Sequence, residues 1–243
     1  MPTQQRIVPA ETDILCERCG YTLNGLPETS NCPECGEPIA NSTSQDGRTL
    51  SLYEMDPRPA TFWKTTFQVI FQTKRFYRTL KGREETDASQ RFARYCRQLT
   101  SVGFSICAVL HGIWLITSLA PGPIPRAGFV FAAPFLMLPL VFPITFFLLL
   151  GIIRLAEWLT AIEARYWGIR LPQHIVRRAM NFHAASYLLV VLVTTFFIAF
   201  HQFTHAMPDT WYLYGLCALV ILSAGYLFQT YWIGMKNLMY ANR

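Results

Sequence analysis

Residues 127–153, AGFVFAAPFLMLPLVFPITFFLLLGII, contain no Asp, Glu, Lys, Arg or His over 27 positions. About 20 helical residues cross the roughly 30 Å hydrocarbon core of a bilayer, so this run predicts a transmembrane helix. Its three prolines, Pro134, Pro139 and Pro143, each remove a helix hydrogen bond and indicate a kinked or tilted helix. The run is too short for two crossings.

Three further runs have the same character, at residues 102–120, 184–200 and 211–235, and His111 is the one histidine or charged residue among them. In lipid every backbone polar group must be satisfied within the protein, and the runs show no strong alternation of lipid-facing and lumen-facing residues. Helices are therefore favoured over a barrel. The sequence predicts four transmembrane helices.

Lys and Arg concentrate in alternate connections between these runs. They precede the first span, fill the segment between the second and third, and follow the fourth, whereas the other two connections hold only Arg126. The residues are Lys81, Arg83, Arg91, Arg94 and Arg97; Arg154, Arg165, Arg170, Arg177 and Arg178; and Lys236 and Arg243. Because cytoplasmic loops retain Lys and Arg, both termini are expected in the cytoplasm. The polar start predicts no cleaved signal peptide.

The composition divides the chain in the same way. Of 243 residues, 52% are hydrophobic and 15% charged, with a net charge of +6, whereas soluble domains carry about 25% charged residues. Residues 1–100 hold 13 of the 21 Lys and Arg and 12 of the 15 Asp and Glu. We predict a flexible N-terminus (1–15), a metal-binding module (16–40), a linker (41–56), a basic amphipathic segment (57–100) and a transmembrane domain (101–243).

The module is predicted from two C-x-x-C pairs a dozen residues apart, each followed by glycine. The pairs are Cys16 with Cys19 and Cys32 with Cys35. Glycine permits the bend that points backbone amides at sulfur, and this is the spacing of a zinc ribbon. The sequence thus predicts four Zn²⁺ ligands in a small N-terminal zinc-ribbon β domain attached to an all-α multi-pass membrane protein.

Three alternatives exist for the same four cysteines: two disulfides, a redox pair and a rubredoxin-like iron site. The reducing cytosol disfavours disulfides, and a redox site does not need a second pair. Tyr21 with Leu23 or Leu26 is the expected minimal core. The other cysteines, Cys96, Cys107 and Cys217, have no partner at ligand spacing and are interpreted as small apolar residues.

The ribbon is acidic, with one arginine against four glutamates over residues 16–40. These glutamates are Glu17, Glu28, Glu34 and Glu37. A four-thiolate zinc site adds two more negative charges, for a total of about −5, and such a surface repels nucleic acid. We therefore expect the ribbon to dock on the basic tract 74–97 or to hold that tract for a protein partner. A folded cap with no partner is the alternative.

Residues 57–100 combine basic side chains with aromatic residues at helical spacing. The apolar positions are Phe62, Trp63, Phe67, Ile70 and Phe71. This pattern favours a helix lying on the inner leaflet, where anionic lipid attracts basic residues. A helix packed beneath the bundle is the alternative. Residues 157–178 are a second candidate for the same membrane surface.

Two parts of the chain resemble known families. Residues 56–62, the basic approach to the first span, the passage 177–188 and the exit 231–243 look like the membrane domain of the Yip family, which comprises Rab-interacting multi-pass proteins and bacterial relatives. The run 19–27 with the second cysteine pair resembles ribbons fused to bacterial membrane proteins of unassigned function. These resemblances imply a membrane-organising role in a bacterial inner membrane. Yip proteins usually have five spans, one more than this chain.

No catalytic or cofactor-binding residue is assigned, because the sequence shows no phosphate-binding glycine loop and no triad spacing. His201 and His205 are four apart and could bind a metal with Asp209, although histidine is also a common polar residue at a membrane interface. His111 lies within a span, where an ionisable residue is a functional candidate; a hydrogen-bonded histidine facing the bundle is the alternative.

Two functions follow from these patterns. The first is a non-enzymatic membrane scaffold or trafficking-like adaptor that contacts membrane lipid and a protein partner, with no nucleic-acid binding. The alternative is a small-solute transporter or channel that uses polar positions within the spans. Those positions are His111, Thr145, Thr194, Thr195 and Gln229.

Overall fold

A computed structural model describes residues 9, 12–44, 48–82, 86–119, 126–169, 171–204 and 208–242. This part of the chain forms nine helices. They are α1 (Ala40–Thr43), α2 (Leu52–Met55), α3 (Pro59–Phe71), α4 (Thr73–Thr79), α5 (Asp87–Leu119), α6 (Arg126–Tyr166), α7 (Gln173–His183), α8 (Ser186–Thr204) and α9 (Asp209–Leu238). The fold is mostly helical, as predicted.

Four of these helices, α5, α6, α8 and α9, are long and apolar enough to cross a membrane. Large apolar side chains cover their exposed faces; Phe147, Leu148, Val220, Ile221 and Leu222 are each more than 60% exposed. An apolar surface of this extent is unfavourable in water and favourable against lipid tails. The structure agrees with the predicted multi-pass membrane protein of four spans.

Two helices extend beyond their predicted spans. The helix α5 begins at Asp87, so the predicted boundary at residue 100 falls inside it. The helix α6 runs without a break for 41 residues through Pro139 and Pro143, which makes it about 60 Å long. A single kinked or tilted helix was expected over residues 127–153, and the helix observed there also includes residues 157–166 of the second surface segment predicted at 157–178. Hydropathy identifies the lipid-crossing part of a helix and not its ends.

The helix α3 has features of both alternatives for the amphipathic segment, a helix lying on the inner leaflet and a helix packed against the protein. One face buries Phe62 and Val69, while the opposite face leaves Trp63, Phe67 and Phe71 more than half exposed. Pro59 occupies the first turn, where its missing N–H costs no hydrogen bond. The segment therefore packs against its own unit and also presents an aromatic face that suits a membrane interface.

The expected β domain is not formed in the described part of the N-terminal region. Single antiparallel bridges join Leu15 to Thr22 and Asn31 to Pro38, without strands. Each bridge closes one cysteine turn, and the turns are too short to extend pairing further. The predicted linker 41–56 likewise contains α1 and α2. We refer to residues 12–44 as the cysteine module.

The chain divides into two compact units. Unit 1 comprises Met1–Ala93, Ile153–His183 and Gln229–Arg243, and unit 2 comprises Arg94–Ile152 and Ala184–Phe228. Unit 1 therefore contains the cysteine module, α2 to α4, α7 and the end of α9. Unit 2 contains most of the lipid-crossing residues.

A buried ion pair lies in the core of unit 1. The guanidinium of Arg178 donates to both carboxylate oxygens of Glu54, at 2.7 and 2.9 Å, and both side chains are 0% exposed. Glu54 also closes a capping box with Ser51 at the start of α2, and it accepts a hydrogen bond from Thr86 at 2.6 Å. Arg178 lies over the ring of Phe182. The pair fixes α2 to α7.

Unit 2 is packed by small and apolar residues. Cys107, Val191 and Ile198 form a buried cluster. A Cβ atom added at Gly103 would lie 2.6 Å from Val191, so the glycine permits a close approach at that position. Small residues serve the same purpose in other membrane bundles, where neighbouring helices gain stability from van der Waals contact.

Candidate metal centre

The cysteine module contains two turns with the same hydrogen-bonding pattern. In the first, the Cys16 amide donates to the Tyr21 carbonyl and the Gly20 amide to the Cys16 carbonyl, both at 2.8 Å. In the second, the Cys32 amide donates to Glu37 at 2.8 Å and the Gly36 amide to Cys32 at 2.9 Å. Both glycines have positive φ, 82° and 74°. Left-handed backbone at this position is what glycine after each pair permits.

The two turns bring all four predicted ligands together. The sulfur atoms of Cys16, Cys19, Cys32 and Cys35 lie within 4.8 Å of one another. The sulfurs of Cys16 and Cys35, and those of Cys19 and Cys32, are 3.6 Å apart, and all four residues are free cysteines. Among the described residues this is the one group of three or more such side chains that could hold a metal ion.

Backbone amides prepare part of the cluster for a negative charge. Burial by itself opposes ionisation of Cys32, but the amides of Cys35 and Glu34 and the neighbouring thiols lower its pKa to about 7. Burial raises the pKa of Cys19. Thiolates, not thiols, bind metal, so at least one ligand is poised for deprotonation at neutral pH.

The small core under the cluster differs in part from the expected one. Leu23 is buried and Leu26 packs against it, as predicted, together with Cys16, Cys32 and Ile39. Tyr21 is wrong as a core residue because its ring is 42% exposed. The backbone carbonyl of Tyr21 accepts the Cys16 amide within the turn, while its side chain is exposed. Ile39, which sequence reasoning missed, follows the second pair as the first large aliphatic residue.

Arg48 attaches the cysteine module to the remainder of unit 1. Its side chain is 7% exposed and donates to both oxygens of Glu17, at 2.8 to 3.1 Å. It also donates to the carbonyls of Tyr77, Leu80 and Asn237 at 2.9 to 3.2 Å. This arginine lies in the predicted linker, and a single basic residue in a polar stretch gave no signal of burial.

A second attachment comes from the C-terminal end of the chain. The Asn242 side chain accepts from the Leu15 amide at 2.9 Å and donates to the Leu15 and Ser42 carbonyls at 2.7 and 3.0 Å. The ring of Tyr240 lies so close to Gly20 that a Cβ there would be 2.5 Å from it. The module is therefore docked through Glu17 and backbone atoms.

The other three glutamates of the module, Glu28, Glu34 and Glu37, have other surroundings. Glu37 pairs with Arg18 at 3.1 Å within the module. Hydrogen bonds from Asn41 and Arg18, with a smaller contribution from Arg78, lower the pKa of Glu37 below its usual value. Glu28 and Glu34 are exposed. The basic tract is contacted mainly through its backbone carbonyls, by Arg48.

Two of the histidine candidates, His111 and His201, lie in unit 2 in a cluster of aromatic rings. His201 stacks on Tyr212 with ring centroids 4.0 Å apart, and its Nε2 is 3.6 Å from the Asp209 carboxylate. His111 Nδ1 and the Tyr212 hydroxyl are 2.9 Å apart, in agreement with a hydrogen-bonded histidine. His205 lies outside the described residues.

The polar positions considered for transport mostly bond to their own helices. Thr194 donates to the Val190 carbonyl at 2.8 Å, and Thr195 donates to the Val191 carbonyl at 2.7 Å. Thr145 donates to the carbonyls of Val141 and Phe142 in its own helix, and its hydroxyl also lies 3.4 Å from the Ser101 carbonyl and the Ser105 hydroxyl of α5. These bonds satisfy hydroxyl groups within the spans, and the Thr195 hydroxyl also lies 3.0 Å from the Cys107 sulfur of α5.

Comparisons with known proteins give no relative for this chain. No protein family, curated protein or solved structure matches it.

Proposed function

We propose that this protein is a non-enzymatic membrane scaffold or trafficking-like adaptor whose cysteine module holds a structural Zn²⁺ ion and contacts a protein partner. The proposal also places it in a bacterial inner membrane with both termini in the cytoplasm. The observation that carries it is the docking of the module by Arg48 and Asn242. A module held in this way keeps its exposed surface in a fixed position within unit 1. A binding surface for a protein partner requires such a fixed position.

The four sulfurs support zinc as the bound ion. In a tetrahedral site with Zn–S distances of about 2.3 Å, the sulfurs are about 3.8 Å apart, close to the 3.6 Å of the two nearest pairs. Four thiolates also fill the coordination shell and leave no open position for a substrate. The ion would supply the folding energy that the few apolar residues of the module cannot.

The exposed surface of the module supports a protein partner. Glu28 and Glu34 project from it and the ring of Tyr21 is 42% exposed. Acidic side chains and an exposed tyrosine on one small module suit a basic protein surface and oppose nucleic acid. The Yip-like features of the membrane domain favour the same membrane-organising role.

The metal can be tested by elemental analysis of the purified full chain. We expect one zinc per chain, its loss in Cys32→Ser, and rapid proteolysis of the module in that variant. Cys107→Ser is the matched control, because this cysteine belongs to unit 2 and is not one of the four clustered cysteines, and it should leave the zinc content unchanged. Stoichiometric iron, or a protected module without metal, contradicts the zinc assignment.

The scaffold role can be tested with a photo-crosslinking amino acid in place of Tyr21. A discrete adduct with one protein is expected in native membranes, and Glu34→Gln should weaken it while zinc remains bound. Glu163→Gln removes an exposed charge from α6 and serves as the control. If no adduct forms, or if both substitutions act equally, the module is a structural cap without a partner.

The orientation is tested separately by labelling a cysteine introduced at Thr210. This residue lies in the first turn of α9. With both termini in the cytoplasm, an impermeant thiol reagent should reach it from the outer side. Labelling from the cytoplasmic side alone overturns the proposed topology and leaves the metal assignment intact.

A further inference from the structure

A cleft of about 780 Å³ lies within unit 1, between the cysteine module, α4 and the end of α9. Ligand sites in proteins commonly enclose about 300–1,000 Å³, so the cleft has room for a small molecule or a lipid headgroup. Three separate segments of the chain form its walls, and each contributes basic side chains. This convergence is not visible in the sequence.

The lining of the cleft is strongly cationic. Six Lys and Arg side chains line it against two carboxylates, Glu17 and Glu37. Both carboxylates already have partners in the described residues, since Arg48 binds Glu17 at 2.8 Å and Arg18 binds Glu37 at 3.1 Å. Lys74, Arg78 and Lys236 add three further positive charges to the lining, and Arg78 is near enough to Glu37 to help lower the pKa of that carboxyl.

Lys74 and Arg78 are the important cations on α4, and Lys236 is the important cation on α9. Lys74 and Arg78 are four residues apart, which places them on one face of the helix, and all three side chains are exposed. Several cations that line one cleft give it a positive potential, which favours a bound anion. Hydroxyl and amide groups of Ser44 and Asn237 also line the cleft and can donate hydrogen bonds.

The position of the cleft on α9 indicates the environment of its ligand. Trp232 lines the cleft one turn before Lys236, near the end of this transmembrane helix, and its ring is 54% exposed. Tryptophan is enriched where a helix leaves the hydrocarbon core and meets the headgroups. The cleft is therefore placed at the level where phosphate groups of lipids lie.

We propose that this cleft binds a phosphate-bearing anion through Lys74, Arg78 and Lys236. A phosphate group carries one to two negative charges and several acceptor oxygens, which match converging Lys and Arg side chains better than a single carboxylate does. The phosphate can belong to an anionic phospholipid headgroup or to a soluble phosphorylated molecule. The exposed glutamates of the module, Glu28 and Glu34, do not line this cleft.

Two binding measurements on the full chain in neutral detergent distinguish these sources. Native mass spectrometry compares retention of phosphatidic acid with that of phosphatidylcholine, and calorimetry measures binding of inorganic phosphate. Binding of phosphatidic acid alone identifies a lipid headgroup, whereas binding of inorganic phosphate identifies a soluble phosphate ligand. Failure to bind either probe overturns the proposal.

Substitutions then locate the bound anion. Replacing Lys74, Arg78 and Lys236 with Gln should weaken binding at least tenfold, because each side chain supplies a charge-assisted contact. The control replaces Lys64, Arg75 and Arg91 with Gln, which removes the same charge from exposed positions of unit 1 outside the cleft lining. It should change binding less than twofold. Equal losses in both triple variants mean that general surface charge binds the anion, and the proposal fails.

Zinc content and gel filtration of the same samples show whether the variants remain folded. If the triple variant loses zinc, Lys236→Gln alone is measured, and a weakening of about threefold or more is expected. Because zinc binding and anion binding are read separately, loss of the anion with zinc retained supports the cleft independently of the scaffold proposal. Unchanged binding in a folded Lys236→Gln variant contradicts it.

Discussion

Unit 1 and unit 2 are stabilised by different kinds of contact. Unit 1 buries Arg178 against Glu54 and Arg48 against Glu17. The described contacts of unit 2 are mainly between rings, hydroxyls and close-packed small residues, such as His111 with Tyr212 and Gly103 beside Val191. Its His201–Asp209 pair is longer, at 3.6 Å, with a carboxylate that is 62% exposed.

The difference is explained by the forces that hold protein segments together in water and in lipid. In water the hydrophobic effect drives collapse, and buried ion pairs can then specify which elements meet. Lipid tails are as apolar as the helices themselves, so packing and hydrogen bonds decide which helices associate. Removing one charge from unit 1 should therefore destabilise the protein more than removing one polar contact from unit 2.

The largest effect is expected from Glu54→Gln. This change leaves the guanidinium of Arg178 buried without its counter-charge, and breaking such a pair costs about 3–5 kcal/mol. The free energy of unfolding, measured for the full chain in mixed detergent micelles, should fall by that amount. Asp56→Asn is the control because its partner Arg58 is exposed. Similar losses for both variants contradict the structural role of the buried pair.

A smaller loss is expected from Arg48→Met. The methionine retains an apolar stem but removes the hydrogen bonds to Glu17 and to the carbonyls of Tyr77 and Leu80. Hydrogen bonds to charged groups contribute about 1.5–3 kcal/mol, so we expect a loss of about 2–3 kcal/mol. Limited proteolysis should release the cysteine module with zinc still bound. Arg18→Met, at an exposed position, should leave the cleavage rate unchanged.

The spans could be predicted from the sequence because lipid imposes a length and an apolar composition on every crossing. The clustering of the four cysteines could be predicted because the geometry of a metal site fixes the spacing of cysteines and glycines along the chain. Both constraints are local. Helix ends, such as the start of α5 at Asp87, depend on packing and hydrogen bonds that hydropathy does not report.

Contacts between distant segments could not be predicted. Arg48 meets Asn237 across 189 positions, and Glu54 meets Arg178 across 124. Nothing in one sequence links these residues, since each arginine resembles any surface basic residue. The basic cleft is of the same kind, because its cations come from segments more than 150 residues apart. Long-range polar contacts thus explain most of the differences between expectation and structure.

A still smaller effect is expected from Gly103→Ala in unit 2. The added methyl group would lie 2.6 Å from a methyl of Val191, and the branched valine has little rotamer freedom to move away. Overpacking typically costs about 1–3 kcal/mol. Gly112→Ala lies on the same helix with nothing within 4 Å of the added atom, so it should not destabilise the protein. Unfolding in micelles separates the two variants, and equal stability means that helix contact at Gly103 is unimportant.

The smallest effect is expected from Tyr212→Phe. The phenylalanine keeps the ring that stacks on His201 but loses the hydroxyl that lies 2.9 Å from His111. Hydrogen bonds between membrane helices contribute about 0.6 kcal/mol on average, because separated helices in lipid find other polar partners. The same unfolding assay should show a loss near this value. Tyr214→Phe is the control, since that ring is 68% exposed. A loss of several kcal/mol from Tyr212→Phe would show that unit 2, like unit 1, depends on a buried polar contact, and the distinction between the two units would then no longer hold.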